Sequence, residues 1–181
     1  MSTKTRATIA DLYKVDGKAE LVNGEIVEMP PAGDAPNGAS LSVAISLRAY
    51  EKRTGQGRTY TEGAGFHVHL PHRGAFSPDA AYHIGSRTGM RFLEGAPIFA
   101  VEVRSEHDYG PAAEHTMREK RADYFACGTL VVWDVDLQSD DVVKSYRASD
   151  PENPMIFRRG EMADAEPAVP GWRMAVDDLF G

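Results

Sequence analysis

The spacing of apolar residues changes several times along the chain, and each change marks an element. Residues 8–13 open with Thr8 and carry Ile9 and Leu12, which predicts a short helix with Thr8 as its N-cap. Residues 20–29 read as two short strands around Asn23-Gly24. Asn-Gly between apolar runs predicts an N-terminal β-hairpin with a two-residue turn, because both turn positions need positive φ. Residues 30–38 are rich in Pro, Gly, Asp and Asn and predict a loop. Leu41, Ala44, Ile45, Leu47 and Ala49 then predict a long helix over 39–54. Arg48, Lys52 and Arg53 load positive charge into its last turns, as the helix dipole favours, and Gly55 and Gly57 end it.

Strand signals follow at 58–62 and 65–70, with a turn at 71–75. A short strand enters through Ser77-Pro78-Asp79 and reaches Tyr82. Residues 84–96 predict a loop carrying Arg87 and Arg91, and residues 97–105 an apolar strand. A helix over 112–127 follows Gly110-Pro111, with Gly128 as the residue that stops it. Strands at 129–135 and 142–147 come next, separated by Ser139-Asp140-Asp141. The tail from Pro170 to Phe180 predicts an edge strand and a closing turn. This order predicts an α/β (α+β) chain with a mixed β-sheet at its centre, flanked by helices. The chain shows no repeat, low-complexity segment or linker, so 1–181 reads as one domain with residues 1–7 frayed.

Two charged residues interrupt this pattern. By period two, Ile98, Ala100, Glu102 and Arg104 share one face of an otherwise apolar strand. A carboxylate there is costly unless it is paired or holds a metal. A Glu102–Arg104 ion pair is the plain alternative. At 100° per residue, Ala113, Met117, Lys120, Tyr124 and Cys127 fall within one narrow sector of the helix, so Lys120 points inward. Its plain alternative is a stem that covers apolar surface and leaves the amine at the rim. Asp79 alone reads as a turn residue and gains weight only from Glu102 and Lys120. Two acids and an inward lysine are the side chains that metal-assisted phosphodiester hydrolysis uses.

Other candidates are weaker. His67 and His69 share a strand face, near His72 and His83, and could ligate a metal such as Zn²⁺. Alternating polar residues on a half-exposed strand explain them as well. The sequence has no Gly-rich phosphate loop and no nucleophile elbow, and Cys127 fits packing on the helix stripe.

Composition narrows the setting. Hydrophobic residues make up 42% of 181, enough for a core. The single cysteine excludes a disulfide scaffold and points to a reducing, cytoplasmic compartment. No apolar leader is expected at the N-terminus, and no apolar run approaches the ~20 residues of a membrane span. A net charge of -7 argues against a protein that coats nucleic acid. It leaves room for an enzyme that grips DNA through a local basic patch.

Several short stretches, taken in order, carry a resemblance. They are Glu20-Leu21-Val22-Asn23-Gly24-Glu25, Pro78-Asp79, Val101-Glu102-Val103 with Ser105, Lys120, Tyr124, Gly128, Trp133-Asp134 and Pro170-Gly171. The chain here resembles the Uma-type family of endonucleases within the PD-(D/E)XK (restriction-endonuclease-like) superfamily, from about residue 20 to 180. The resemblance implies a restriction-endonuclease-like fold and hydrolysis of DNA with Mg²⁺, for which Mn²⁺ can substitute. It implies that Asp79 and Glu102 hold the metal, to which the backbone carbonyl of Val103 would add an oxygen ligand of the kind a hard cation takes. It also implies that the catalytic lysine has moved from position 104, here arginine, to Lys120, and that Glu20 is an accessory site carboxylate. Arg104, Arg118 and Arg121 are candidates for phosphate contacts. Duplex cutting needs two sites, which makes a homodimer or a higher homo-oligomer the assembly to expect. A catalytically inactive module that keeps the fold and binds nucleic acid or protein is the alternative, motivated by the acidity and by Arg104.

Overall fold

The computed structural model of the chain describes residues 6–181. Residues 1–5 of the stretch expected to fray lie outside the described residues. Ala7, the last of that stretch, is tied down: its amide donates to the Gly24 carbonyl at 2.8 Å.

The chain opens with α1 (Ile9–Leu12), capped at Thr8, whose amide and hydroxyl both donate to the Asp11 carboxylate. The hairpin β1 (Ala19–Val22) and β2 (Glu25–Glu28) turns at Asn23 and Gly24, with φ of 54° and 74°. Next come α2 (Asp34–Thr54), β3 (Arg58–Thr61), β4 (Phe66–Leu70), β5 (Arg73–Phe76), β6 (Ala80–His83), β7 (Leu93–Glu94) and β8 (Phe99–Val103). After α3 (Pro111–Ala126) run β9 (Val131–Val135), β10 (Val143–Arg147), β11 (Asp150–Phe157), β12 (Met162–Asp164) and β13 (Arg173–Ala175). A 3-10 helix, Val176–Phe180, closes the chain.

Two sheets carry the fold. One has six strands in the order β11-β10-β9-β8-β6-β3, and the other five in the order β2-β1-β5-β4-β7. Both are mixed, since β8 runs parallel to β9 and β4 parallel to β7. α3 is the crossover between β8 and β9, the connection that a parallel pair requires. Strand alternation then divides the core. Phe99, Val101 and Val103 of β8, with Val131, Trp133 and Val135 of β9, pack with α2 and the C-terminal segment. Ala100 and Val132 face the opposite way, toward Tyr124 of α3 and Phe66 and Phe76 of the second sheet. Glu102, one repeat beyond Ala100, therefore faces α3.

Four sequence expectations change. α2 begins at Asp34, five residues before the predicted start, and Pro36 lies inside it. Pro36 sits in the first turn, where its missing N–H has no intrahelical partner to lose. The inward stripe of α2 is Ala39, Val43, Leu47 and Tyr50, while Leu41 and Ile45 face out. Arg73–Phe76 is a strand, which shrinks the turn expected at 71–75 to Pro71 and His72. The loop expected at 84–96 contains β7, which aligns with β4 through the pairs Phe66–Leu93 and His67–Glu94.

The C-terminal segment returns as expected and is anchored by specific bonds. Tyr50 donates to the Pro170 carbonyl at 2.8 Å, Trp172 to Ser46 Oγ at 3.0 Å and Trp133 to the Asp164 carbonyl at 3.1 Å. Among the described residues, no helix is long and apolar enough to cross a membrane.

Candidate functional site

The faces of β1, β8 and α3 meet at a cleft of about 320 Å³, lined among others by Lys18, Glu20, Glu62, Asp79, Glu102, Val103 and Lys120. Lys120 is at its centre. Its Nζ lies 2.8 Å from Glu102 Oε1 and 2.9 Å from Glu20 Oε1. Lys120 comes from the middle of α3, Glu102 from β8 and Glu20 from β1, so the crossover helix joins the two sheets through one ammonium group. The helix stripe placed Lys120 inward, and its side chain is 15% exposed.

Asp79 stands where the chain enters β6. Its amide donates to the Val101 carbonyl at 3.0 Å, and its Oδ2 accepts from the Val103 amide at 2.7 Å. These bonds fix the carboxylate against the strand that carries Glu102. Lys18 donates to its other oxygen and lies 3.7 Å from Glu62. Val103, whose carbonyl was expected to ligate a metal, contributes its N–H to Asp79 and lines the cleft.

Tyr124 completes the inner wall. Its hydroxyl donates to Glu102 Oε1 at 2.7 Å, and its ring stacks on Phe76 at 4.0 Å between centroids. The Arg73 guanidinium lies over the other end of this stack, 4.8 Å from the Phe76 ring. Arg73 donates to Glu20 at 2.9 Å and to Asp123 at 2.6 Å, and Asp123 also meets His72 at 2.6 Å. A continuous polar chain thus runs from exposed His72 through Asp123, Arg73 and Glu20 to Lys120. Each buried charge in it has a partner of opposite sign, as burial demands.

The two carboxylates on Lys120 differ as acids. Burial works against ionisation of Glu20, but Lys120, Arg73 and the Ser77 amide outweigh it and hold the carboxyl below its ordinary range. Burial raises Glu102, and Lys120 does not offset burial plus repulsion from Asp79 and Glu20. Lys120 is raised despite burial, because both carboxylates hold its proton. It is therefore a cation at neutral pH and no general base. Lys18 is raised likewise, with Asp79 and Glu102 overcoming burial.

Removing the Tyr124 hydroxyl by Tyr124→Phe is expected to raise Glu102 further. The hydroxyl donates to the ionised form, so its loss favours the protonated one. A side-chain carbon NMR titration of Glu102 reads this directly. An unmoved titration would show that the bond contributes nothing.

The inner cleft carries more carboxylates than ammonium groups. Glu20, Glu62, Asp79 and Glu102 face Lys18 and Lys120, four carboxylates against two ammonium groups. Arg73 does not alter this balance, since Asp123 matches it. Oxygen donors in excess of cations suit a hard ion such as Mg²⁺.

The three arginines proposed for phosphate fare differently. Arg104 does not pair with Glu102. Its Nε and Nη2 each donate to Asp134 at 2.8 Å, and its guanidinium also grips Glu114. Its side chain is 3% exposed, so it is a buried staple between β9 and α3 and presents no free fork to a phosphate. Arg121 lies over the Tyr146 ring, 3.9 Å from its centroid, and lines the cleft. Arg118 is exposed on α3. His67 and His69 face away from this cleft, on the outer side of β4, and His83 is buried.

Sequence reasoning assigned no role to Lys18, Arg73, Asp123 or the Tyr124 hydroxyl. Period two counted back from Glu20 points to Lys18. No local signal marks Arg73, placed in a predicted turn, or Asp123, a buried acid on a helix rich in charge.

No curated protein matches the chain by sequence. A crystal structure described as "a putative nuclease belonging to DUF820", from Anabaena variabilis ATCC 29413, matches with a TM-score of 0.74. The match covers 96% of this chain and 97% of that one at 17% identity, so it shows a shared fold. The model of the Uma2 family, described as "Putative restriction endonuclease", matches residues 8–177, and the chain belongs to that family.

Proposed function

We propose that the protein is a Mg²⁺-dependent DNA endonuclease whose active site is the Lys120 cleft. The observation that carries this reading is the meeting of Lys120 with Glu102 and Glu20 beside Asp79, supported by membership of the Uma2 family. Asp79, Glu102 and the Val103 carbonyl would hold the ion, with Mn²⁺ able to replace it. When bound, it polarises a phosphoryl oxygen and lowers the pKa of a water.

The chain's own residues do the rest. Lys120, fixed as a cation, orients the attacking water and offsets charge on the five-coordinate phosphorus transition state. Glu20 positions Lys120 and is itself held by Arg73 and the Ser77 amide. Tyr124 keeps one Glu102 oxygen directed into the cleft. Arg118 and Arg121, on successive turns of α3, hold flanking phosphates. A homodimer would bring two such clefts to one duplex.

Asp79→Asn tests the reading. The amide keeps the shape but removes half of the proposed ligand charge. Nicking of supercoiled plasmid in Mg²⁺ is expected to fall below detection, and the heat of Mn²⁺ binding in calorimetry to vanish. Undiminished nicking by the variant sinks the assignment. Wild-type protein that binds no Mn²⁺ and cuts nothing is instead an inactive, nuclease-fold binding module.

A further inference from the structure

We propose a second metal site on the outer face of the five-stranded sheet, formed by His67, His69 and Glu94 and suited to Zn²⁺ or a similar borderline transition ion. Phe66 and Val68 of β4 point into the core, so His67 and His69 both point out. The parallel pairing of β7 with β4 sets Glu94 directly opposite His67. Backbone bonds lock this register: the Leu93 amide donates to the Gly65 carbonyl at 2.9 Å, and the Gly95 amide to the His67 carbonyl at 2.8 Å.

The donor atoms already converge. His69 Nε2 lies 2.6 Å from Glu94 Oε1, and His67 Nδ1 lies 3.3 Å from Glu94 Oε2. One ligand atom from each of the three residues can be chosen so that all lie within 4.8 Å of one another. A tetrahedral Zn²⁺ spaces its N and O ligands about 3.3 Å apart. Small side-chain rotations bring three exposed or half-exposed donors to that spacing. Two imidazoles and one carboxylate leave a fourth position open, as in many zinc sites. A cavity of about 400 Å³ beside His67 and Glu94 has room for water there. Arg91 lines the same cavity, but its guanidinium is turned over the Tyr13 ring, 5.1 Å from the centroid.

This site differs in chemistry from the Lys120 cleft. The acids of the cleft offer carboxylate oxygens, which on the function proposed above would favour a hard ion; imidazole favours zinc and its neighbours. A metal here would clamp β7, a strand of two residues, to β4 by side chains as well as by backbone bonds.

Chelator-stripped protein titrated with Zn²⁺ in competition with a chromogenic chelator tests the proposal. One equivalent is expected to bind, and Co²⁺ in its place to show the visible absorption of a four- or five-coordinate nitrogen–oxygen site. His69→Ala removes an exposed side chain and is expected to lower zinc affinity more than ~100-fold, beyond the 10- to 100-fold typical of losing a group that merely supports a ligand. Asp79→Asn, which disables the cleft, should leave zinc binding intact. His115→Ala should also leave it intact, although His115 makes a surface pair with Glu119 at 3.3 Å. The proposal is overturned if the protein takes up no zinc. It is equally overturned if zinc affinity is unchanged in His69→Ala, or if binding is lost in Asp79→Asn.

Discussion

Lys120→Ala is expected to lower Mg²⁺-dependent nicking of plasmid DNA by ~100- to 1,000-fold, the range seen when one preorganised donor to a developing negative charge is removed. The same substitution strikes at stability. Glu20 and Glu102 share Lys120 at 2.9 and 2.8 Å, and its loss leaves two carboxylates facing each other in a buried site. Removing one partner of a buried ion pair costs ~3–5 kcal/mol. That cost falls unequally on the two acids. Glu20 keeps Arg73 and the Ser77 amide, whereas among the described residues Glu102 keeps Tyr124 alone as a donor.

The pH dependence of the variant follows from this asymmetry. Burial and neighbouring acids already raise Glu102 above its ordinary range. A group with a raised folded-state pKa binds more protons in the folded state than in the unfolded state, so stability falls as pH rises between the two values. Without Lys120 the Glu102 carboxyl rises further. The stability deficit of the variant is therefore expected to be smaller at mildly acidic pH than at pH ~8. Added Mn²⁺ should recover part of the deficit at pH ~8, by giving the carboxylates a replacement cation. Thermal melts with and without Mn²⁺ at the two pH values measure this. A deficit that does not vary with pH would show that the carboxylates are not what Lys120 stabilises. Full nicking by a folded variant would remove Lys120 from the chemistry.

The second large effect concerns Arg104, two residues after Glu102 on the same strand face. Arg104→Met is expected to cost ~3–5 kcal/mol, because Asp134 stays buried while its two strongest bonds are lost. Arg121, 3.8 Å away, compensates only in part. For a chain of this length the loss corresponds to a Tm drop on the order of 10 °C. Arg104→Lys should recover only a fraction of it, since an ammonium group cannot reproduce a fork that serves Asp134 and Glu114 together. DNA binding measured below the Tm separates this from a phosphate contact. A structural staple leaves the salt dependence of binding unchanged. A lost phosphate contact lowers the slope by ~1. The lower slope with an unchanged Tm would return Arg104 to the DNA surface.

The hairpin was legible in the sequence because Asn23-Gly24 satisfies a local steric demand. The strand phase of Glu102 and the helix phase of Lys120 were legible because 2.0 and 3.6 residues per repeat fix which side chains share a face. Those phases turned both residues toward the same cleft without any knowledge of its shape. The start of α2 and the strand β5 were not legible. Pro36 reads as a breaker unless it is known to fall in a first turn, and Arg73 becomes a strand residue only through pairing with β1 and β4.

Partner choice was decided by the tertiary structure. Period two put Arg104 on the face of Glu102 and suggested that the two pair. The parallel register instead puts Asp134 beside Glu102, one strand over, and α3 lays Glu114 across it, so Arg104 pairs with those two. Glu102 is thereby left to Lys120, which α3 delivers from 18 positions later in the sequence. Periodicity, a property of the local backbone, was enough to turn Glu102 and Lys120 inward, although it did not pick out the buried stripe of α2. Which charge meets which was set only when two sheets and a crossover helix closed on each other, because a buried charge takes its partner from whatever element packs against it.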